Sequence, residues 1–529
     1  MLHARRSYRG MVVAPHHLAA EAGTRVLADG GNAVEAMIAA AAAIAVVYPH
    51  MNSLGGDNFW LIHEPGKEPV GIDACGGAAS AATVDHYRSR GMSAIPGRGP
   101  DSALTVAGAV SGWHQAFEYS KKLGGKHSLQ RLFEDAIQHA TDGIATPATL
   151  ANNVAGKLPE LQDQPGFANA YLPGGKPLRM GQLHKQAALA QTLRYLAEHG
   201  LESFYSGELS RAIIDELQKA GSPVSAEDLR NHKVLTVKPL TLELDGHKLY
   251  NMPPPTQGLA SLMLLGVYAR LGNLSVDDFD YVHKLIESTK QSFRVRDKEV
   301  SDPSYMAHAA EEFLKSEFLD QLATGVDSKI AQPWPESSVG GDTVWLGAMD
   351  DCGRSVSFIQ SIYWEFGSGV VLPSTGITWQ NRGTSFSLDE SHHNCLKPGR
   401  RPFHTIQPAL ALLNDGRTMP YGTMGGEGQP QTQAMIFTRY VMGGHDLQQS
   451  ITAPRWLLGK TWGSDVTNLR MESRFAPSVY NQLEAAGHDV EIIGDFDEVM
   501  GHAGAIVRHP DGLIEGASDP RSDGAACGL

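Results

Sequence analysis

The stretch "TVWLGAMDDCGRSVSFIQSI", Thr343 to Ile362, constrains the fold of this chain more than any other. Two runs of strand-forming residues flank Asp-Asp-Cys-Gly, which is the local pattern of a β-hairpin. The preceding stretch, "KIAQPWPESSVGG" (Lys329 to Gly341), is rich in proline, serine and glycine and has no periodicity, so it reads as an exposed linker. Thr343 therefore opens a strand directly after Gly-Gly-Asp. A β-branched threonine suits a strand, but its hydroxyl is also a nucleophile in waiting. If the turn covers Asp351 to Gly353, Thr343 lies opposite Ser361; a loop one residue different puts it opposite Gln360. Cross-strand partners have Cβ atoms about 4.5–5.5 Å apart.

The rest of the chain alternates between helical and extended patterns. "HHLAAEAGTRVLADGGNAVEAMIAAAAAIAVVYP" predicts a helix, a Gly-Gly turn, and an alanine-rich helix that ends before Pro49. Small residues all round that second helix suit close packing against a sheet. "NSLGGDNFWLIHEPGKEPVGIDACGG" predicts two short strands about Pro65-Gly66. From Ser102 to about Lys219 the pattern is mostly helical, and Ser225 with Asp228 forms a capping-box start for one more helix.

A length of 529 residues would by itself suggest roughly three domains. The formal net charge of −14 argues against a general nucleic-acid binder, which needs cationic patches. Cys75, Cys352, Cys395 and Cys527 are scattered with no CxxC spacing, so neither a disulfide framework nor a structural zinc site is expected. No apolar segment follows Arg5-Arg6, and the longest apolar run, Met37 to Tyr48, is too short to span a bilayer. A cytoplasmic protein with no membrane partner is expected.

Three further stretches carry candidate chemistry. "YGTMGGEGQPQT" runs from a strand into a glycine-rich turn whose N–H groups could stabilise an oxyanion. "DESHHNC" holds metal-ligand residue types, although adjacent histidines in a polar loop ordinarily face water. His404, in "RRPFHTIQPAL", is the more interesting histidine, because it follows Arg400-Arg401 and precedes a strand-like run; the bland alternative is a basic surface loop. GxSxG, HExxH, EF-hand and P-loop patterns are absent.

The order of these pieces resembles the γ-glutamyltransferase family. The resemblance rests on "DGGNAVEAMIAAAAAIAVVYPHMNSLGGDNFWLI", "YNMPPPTQG", "GDTVWLGAMDDCG", "RRPFHTIQPALAL", "GTMGGEG" and "EGASDPR", and runs from about Arg9 to Gly528. It implies an α+β fold, the four-layer αββα sandwich of N-terminal-nucleophile hydrolases. It also implies a precursor that cuts itself between Asp342 and Thr343. The products would be a large fragment, 1–342, and a small one, 343–529, held together as one globular heterodimer; two such heterodimers could pair further. By the same resemblance Thr343 is the nucleophile and Ser361 stands where the family has the threonine that hydrogen-bonds it. Gly425 and Gly426 are then the oxyanion-hole residues, and no metal or cofactor is implied.

The substrate-binding positions depart from the family. Where γ-glutamyl enzymes carry an arginine for the glutamate α-carboxylate, this chain has "IDACGGAA", with Asp73 or a neighbour in its place. The family's acidic residue aligns with Thr384 or Ser385, its asparagine becomes Tyr363, its serine pair becomes His404-Thr405, and a glutamine position becomes Arg382. Any cation for a substrate carboxylate would then come from Arg382 or His404, close to the nucleophile, with Tyr363 and Trp364 shortening the pocket. This pattern resembles the oxamate amidohydrolase branch, and predicts a small anionic amide as substrate. A γ-glutamyl or cephalosporin-acylase-type enzyme is the alternative within the family; an unprocessed, non-catalytic binding protein is the alternative outside it.

Overall fold

The structure is a computed structural model that describes residues 2–272, 275–334, 342–459 and 467–529. The end of the predicted linker, 335–341, lies outside the described residues. The hairpin forms as its sequence requires. Strand Asp342–Asp350 pairs antiparallel with Ser355–Tyr363, and Met349 faces Ser355. The turn is the three-residue loop Asp351 to Gly353, closed by the Asp350 N–H donating to the Arg354 carbonyl at 3.1 Å. Gly353 takes φ +82°, a left-handed conformation that a Cβ would strain.

This hairpin is the centre of a seven-stranded antiparallel sheet. Across that sheet run Ala525–Gly528, Gly10–Ala14, the hairpin's two strands, Asp57–His63, Val70–Ala74 and Leu235–Val237. A second seven-stranded antiparallel sheet runs Arg5–Ser7, Ile514–Ser518, Ala503–Arg508, Thr418–Thr423, Ala409–Leu412, His247–Asn251 and Leu240–Leu244.

Period-two alternation sorts the strand Asp342–Asp350 between two cores. Trp345 and Met349 point inward and pack between the sheets with Phe59, Tyr250, Leu410 and Ile506. Val344, Leu346 and Ala348 point outward against a helical layer that includes Ala33–Val47. Every residue of that alanine-rich helix is buried. Asn32 and Glu35 close its capping box, so its first N–H groups are satisfied without water. On the far side, helices Gly258–Arg270, Phe279–Glu299 and Gly428–Phe437 cover the outer face of the second sheet. The order of layers is helix, sheet, sheet, helix. The three domains suggested by length do not appear; both sheets draw strands from either side of the Asp342–Thr343 bond.

Candidate active site

Thr343 is fully buried at the mouth of the first sheet. Val344 pairs with Gln360 and Asp342 with Tyr363, so Thr343 sits at a bulge, opposite the two residues Ser361 and Ile362. Of the two registers open from sequence, the hairpin takes the one with Ser361. Gln429 Nε2 donates to Thr343 Oγ1 at 3.4 Å. Gln429 is fixed in turn, since its Oε1 accepts from the Gln407 N–H at 3.1 Å.

Beyond Ser361 the strand bends sharply. Tyr363 has φ +82°, which a non-glycine residue adopts only when its surroundings impose it. Here its own N–H donates to Ser361 Oγ at 2.8 Å, and the next N–H, of Trp364, donates to Asn381 Oδ1 at 3.1 Å. Gly56 lies against this bend: a Cβ there would sit 2.2 Å from the Ser361 carbonyl oxygen.

Gly425 and Gly426 form the turn between strand Thr418–Thr423 and helix Gly428–Phe437, at φ +115° and +53°. Among the described residues their N–H groups have no hydrogen-bond partner. The turn is held from behind. Gln257, in the "PPPTQG" motif, donates through Nε2 to the carbonyls of Gly426 (2.8 Å) and Thr405 (2.5 Å). Buried Arg296 then bridges Gln257 Oε1 and Glu427 Oε1 at 3.0 and 2.6 Å. These two residues tie the glycine turn to the His404–Thr405 segment. Sequence reading missed both.

Arg382 joins the group from the short helix Arg382–Ser385. It is fully buried, donating to Thr405 Oγ1 at 3.1 Å and, weakly, to Ser361 Oγ at 3.4 Å; its guanidinium lies 4.0 Å from the Tyr363 ring centroid. No carboxylate of the described residues forms an ion pair with it, and its Nε is unpartnered. Burial lowers its pKa to about 10, with Tyr363 and Asp57 acting the other way. A guanidinium in this state calls for an anion.

His404 is completely buried rather than part of a surface loop. Burial, with Arg382 and Arg401 nearby, pushes it well below the ordinary histidine range, so it is a neutral imidazole. Both its ring nitrogens lack a partner, and Nε2 lies 3.6 Å from Asp57 Oδ2. Asp57 pairs across the sheet with Ser361. Its Oδ1 accepts from the N–H groups of Gly76 and Gly108, both at 3.0 Å. Burial raises it to about 7 against those hydrogen bonds and Arg382. Asp57 was not among the residues anticipated, although "GGD" before a strand occurs twice, at Gly55 and at Gly340.

The remaining expectations sort as follows. Asp73 lies in strand Val70–Ala74, where Arg401 Nη1 binds it at 2.5 Å, so its charge is spent within the protein. Thr384 and Ser385 are half-buried, with inaccessible hydroxyl oxygens that have no partner among the described residues. The rings of His392 and His393 lie 4.4 Å apart, tilted by 34°, and they do not belong to any group of three possible metal ligands among the described residues. No helix of the described residues is long and apolar enough to cross a membrane.

Comparison with known proteins agrees with this geometry. The Gamma-glutamyltranspeptidase family matches residues 19–529. The chain belongs to that family. An oxamate amidohydrolase proenzyme of Klebsiella pneumoniae is 53% identical over 99% of both chains, and the glutathione hydrolase-like YwrD proenzyme of Bacillus subtilis is 40% identical over 98% of both. Among solved structures, a cephalosporin acylase from Bacillus halodurans superposes with a TM-score of 0.92 at 33% identity, covering 100% of this chain and 97% of that one. The fold expected from sequence, the αββα sandwich of N-terminal-nucleophile hydrolases, is the fold this family member has.

Proposed function

We propose that this family member is a self-processing amidohydrolase for a small carboxylated amide, with oxamate as the leading substrate and oxalate and ammonia as products. The observation that carries the reading is Arg382: a buried guanidinium that no carboxylate of the described residues pairs with, bonded to the hydroxyls of Thr405 and Ser361. An anion seated there has its carboxylate within a bond or two of the reacting carbonyl. A glutamyl γ-amide is longer than that. The 53% identical relative bears an oxamate amidohydrolase name.

In the precursor, Thr343 Oγ attacks the Asp342 carbonyl carbon, and the C–N bond breaks as the acyl group moves to oxygen. Water then hydrolyses the ester, leaving a carboxylate on fragment 1–342 and a free α-amino group on fragment 343–529. The two remain a heterodimer, since their strands share both sheets. The new amine, with an ordinary pKa of about 7.7–8.0, takes the proton of its own hydroxyl. Thr343 Oγ attacks the amide carbonyl, and the N–H groups of Gly425 and Gly426 hold the oxyanion. Collapse returns the proton to nitrogen and expels ammonia. Water cleaves the resulting oxalyl ester. Ser361 orients the nucleophile, Arg382 and Thr405 hold the carboxylate, and Tyr363 and His404 close the pocket.

A denaturing gel and an ammonia assay test this together. Wild type should run as two fragments and release ammonia from oxamate far faster than it cleaves a γ-glutamyl anilide. Faster turnover of the anilide would overturn the substrate assignment. A single uncut band without turnover would overturn the enzyme reading.

A further inference from the structure

Asp57 is a buried acid at the site to which the proposed chemistry assigns no part. Its placement follows from strand periodicity. Phe59, Ile359 and Trp345 point into the core between the two sheets. Two positions along a strand keep the same face, so Asp57, Ser361 and Thr343 project into one space at the end of the first sheet. Asp57 lies directly opposite Ser361, and Thr343 stands on the other side of Ser361, at the bulge. Neighbouring strands are about 4.8 Å apart. A small molecule seated over Ser361 therefore has one flank toward Thr343 and the other toward Asp57.

The two carboxylate oxygens of Asp57 have different tasks. Oδ1 is structural, accepting the Gly76 and Gly108 N–H groups at 3.0 Å each. Oδ2 is inaccessible and has no partner among the described residues. His404 Nε2, at 3.6 Å, is too far to bond it. Gln380 also lies near, but its Nε2 donates to the Val106 carbonyl at 2.9 Å. A buried acceptor left open calls for a ligand that carries a hydrogen-bond donor. The carboxylate also imposes direction, because it repels the acid end of an anionic substrate toward Arg382 and attracts an N–H end.

We propose that Asp57 Oδ2 accepts an N–H of the substrate's amide nitrogen, which makes Asp57 the residue that selects an amide over an ester of the same acid. This assignment rests on the amidohydrolase reading of the site. With Arg382 on the carboxylate and Asp57 on the leaving nitrogen, the carbonyl carbon between them is turned toward Thr343. An ester has no hydrogen on its leaving oxygen, so Oδ2 would stay unpaired and lone pairs would face each other. Asp57→Asn inverts that preference. The Gly76 and Gly108 N–H groups keep the side-chain oxygen on their side, so the N–H2 of the asparagine takes the place of Oδ2. A donor there opposes an amide N–H and suits an ester oxygen.

The test compares kcat/KM for oxamate and for monomethyl oxalate, normalised to the processed fraction and corrected for uncatalysed hydrolysis. The readout is the ratio of the two, which a general loss of folding or of nucleophile geometry leaves unchanged. Asp57→Asn should lower the oxamate-to-ester ratio by roughly 10- to 100-fold, the effect of facing a buried donor with another donor. An unchanged or raised ratio would overturn the assignment. Should the variant fail to fold or to process, wild type decides through pH. Burial holds Asp57 at about 7. The other ionisable groups that bear on it lie outside that range: Arg382 at about 10, His404 far below, Cys75 and Tyr205 far above. The terminal amine acts on both substrates and cancels in the ratio. At lower pH a protonated Oδ2 donates and favours the ester; at higher pH the carboxylate accepts and favours the amide. The wild-type ratio should therefore rise about tenfold from pH 6 to pH 8. A flat or falling ratio would contradict the role given to Asp57. Wild type that releases no ammonia from oxamate would instead reject the amidohydrolase reading.

Discussion

The two halves of the candidate site are built in opposite ways. On the nucleophile side, Thr343, Ser361 and the glycine turn are positioned by strands and main-chain hydrogen bonds. Their supports, Gln429, Gln257 and Arg296, are themselves hydrogen-bonded. On the substrate side, Arg382, His404 and Asp57 are buried with open valences: an unpartnered Nε, two unpartnered ring nitrogens and an unpartnered carboxylate oxygen. Buried polar groups are ordinarily satisfied, so a cluster of exceptions needs a reason. The proposed function supplies that reason: a rigid half for the chemistry and an unsatisfied half for a particular ligand.

Substitutions can break the contrast. The largest effect should come from Thr343→Ala, which removes the proposed nucleophile of both reactions: one band on a gel and no ammonia from oxamate. Arg382→Met should separate the halves. It should cleave itself at close to the wild-type rate, yet lose on the order of 100-fold in kcat/KM for oxamate, the scale of a desolvated charge contact worth about 2–5 kcal/mol. Slowed self-cleavage of similar size would show that the halves are not separate.

Ser361→Ala should slow self-cleavage and turnover alike, by roughly tenfold to a hundredfold, since it strips one hydroxyl from a buried network (about 1–3 kcal/mol). Ser361→Thr should restore both. The smallest effect is on stability. Burial holds Asp57 up at about 7, above its ordinary 3.8. The folded state keeps that proton longer than the unfolded chain does, so wild-type stability contributed by this group is lost as pH rises through that interval. Asp57→Asn has no such proton to lose. Its Tm relative to wild type should therefore climb between pH 4 and pH 8, and a flat difference would contradict the assignment.

The sequence made the nucleophile side legible because its determinants are local. A three-residue turn fixes the hairpin register, and the register puts Ser361 beside Thr343. The alanine-rich helix likewise announces a helix with no solvent face. The substrate side could not be read this way. "RRPFH" looks like a solvated basic loop until Asp73, from 328 positions away, neutralises Arg401, and Phe59 and Asp57 enclose His404. Arg382 had no local signal of its depth, and Asp57 is hidden in a strand whose every residue is buried. Gln257 and Arg296 support the Gly425–Gly426 turn through contacts no linear pattern encodes. Family resemblance pointed to Arg382 and His404 but not to Asp57, and the open valences of all three emerge only from the packed structure.

The claim at the centre is that Arg382 reads a substrate carboxylate. Steady-state ammonia release from oxamate and from its neutral counterpart oxamide, by wild type and Arg382→Met, tests it most directly. The expected result is a strong wild-type preference for oxamate that the variant loses, with oxamide turnover little changed. An equal loss on both substrates, or a preference that survives the substitution, would contradict it.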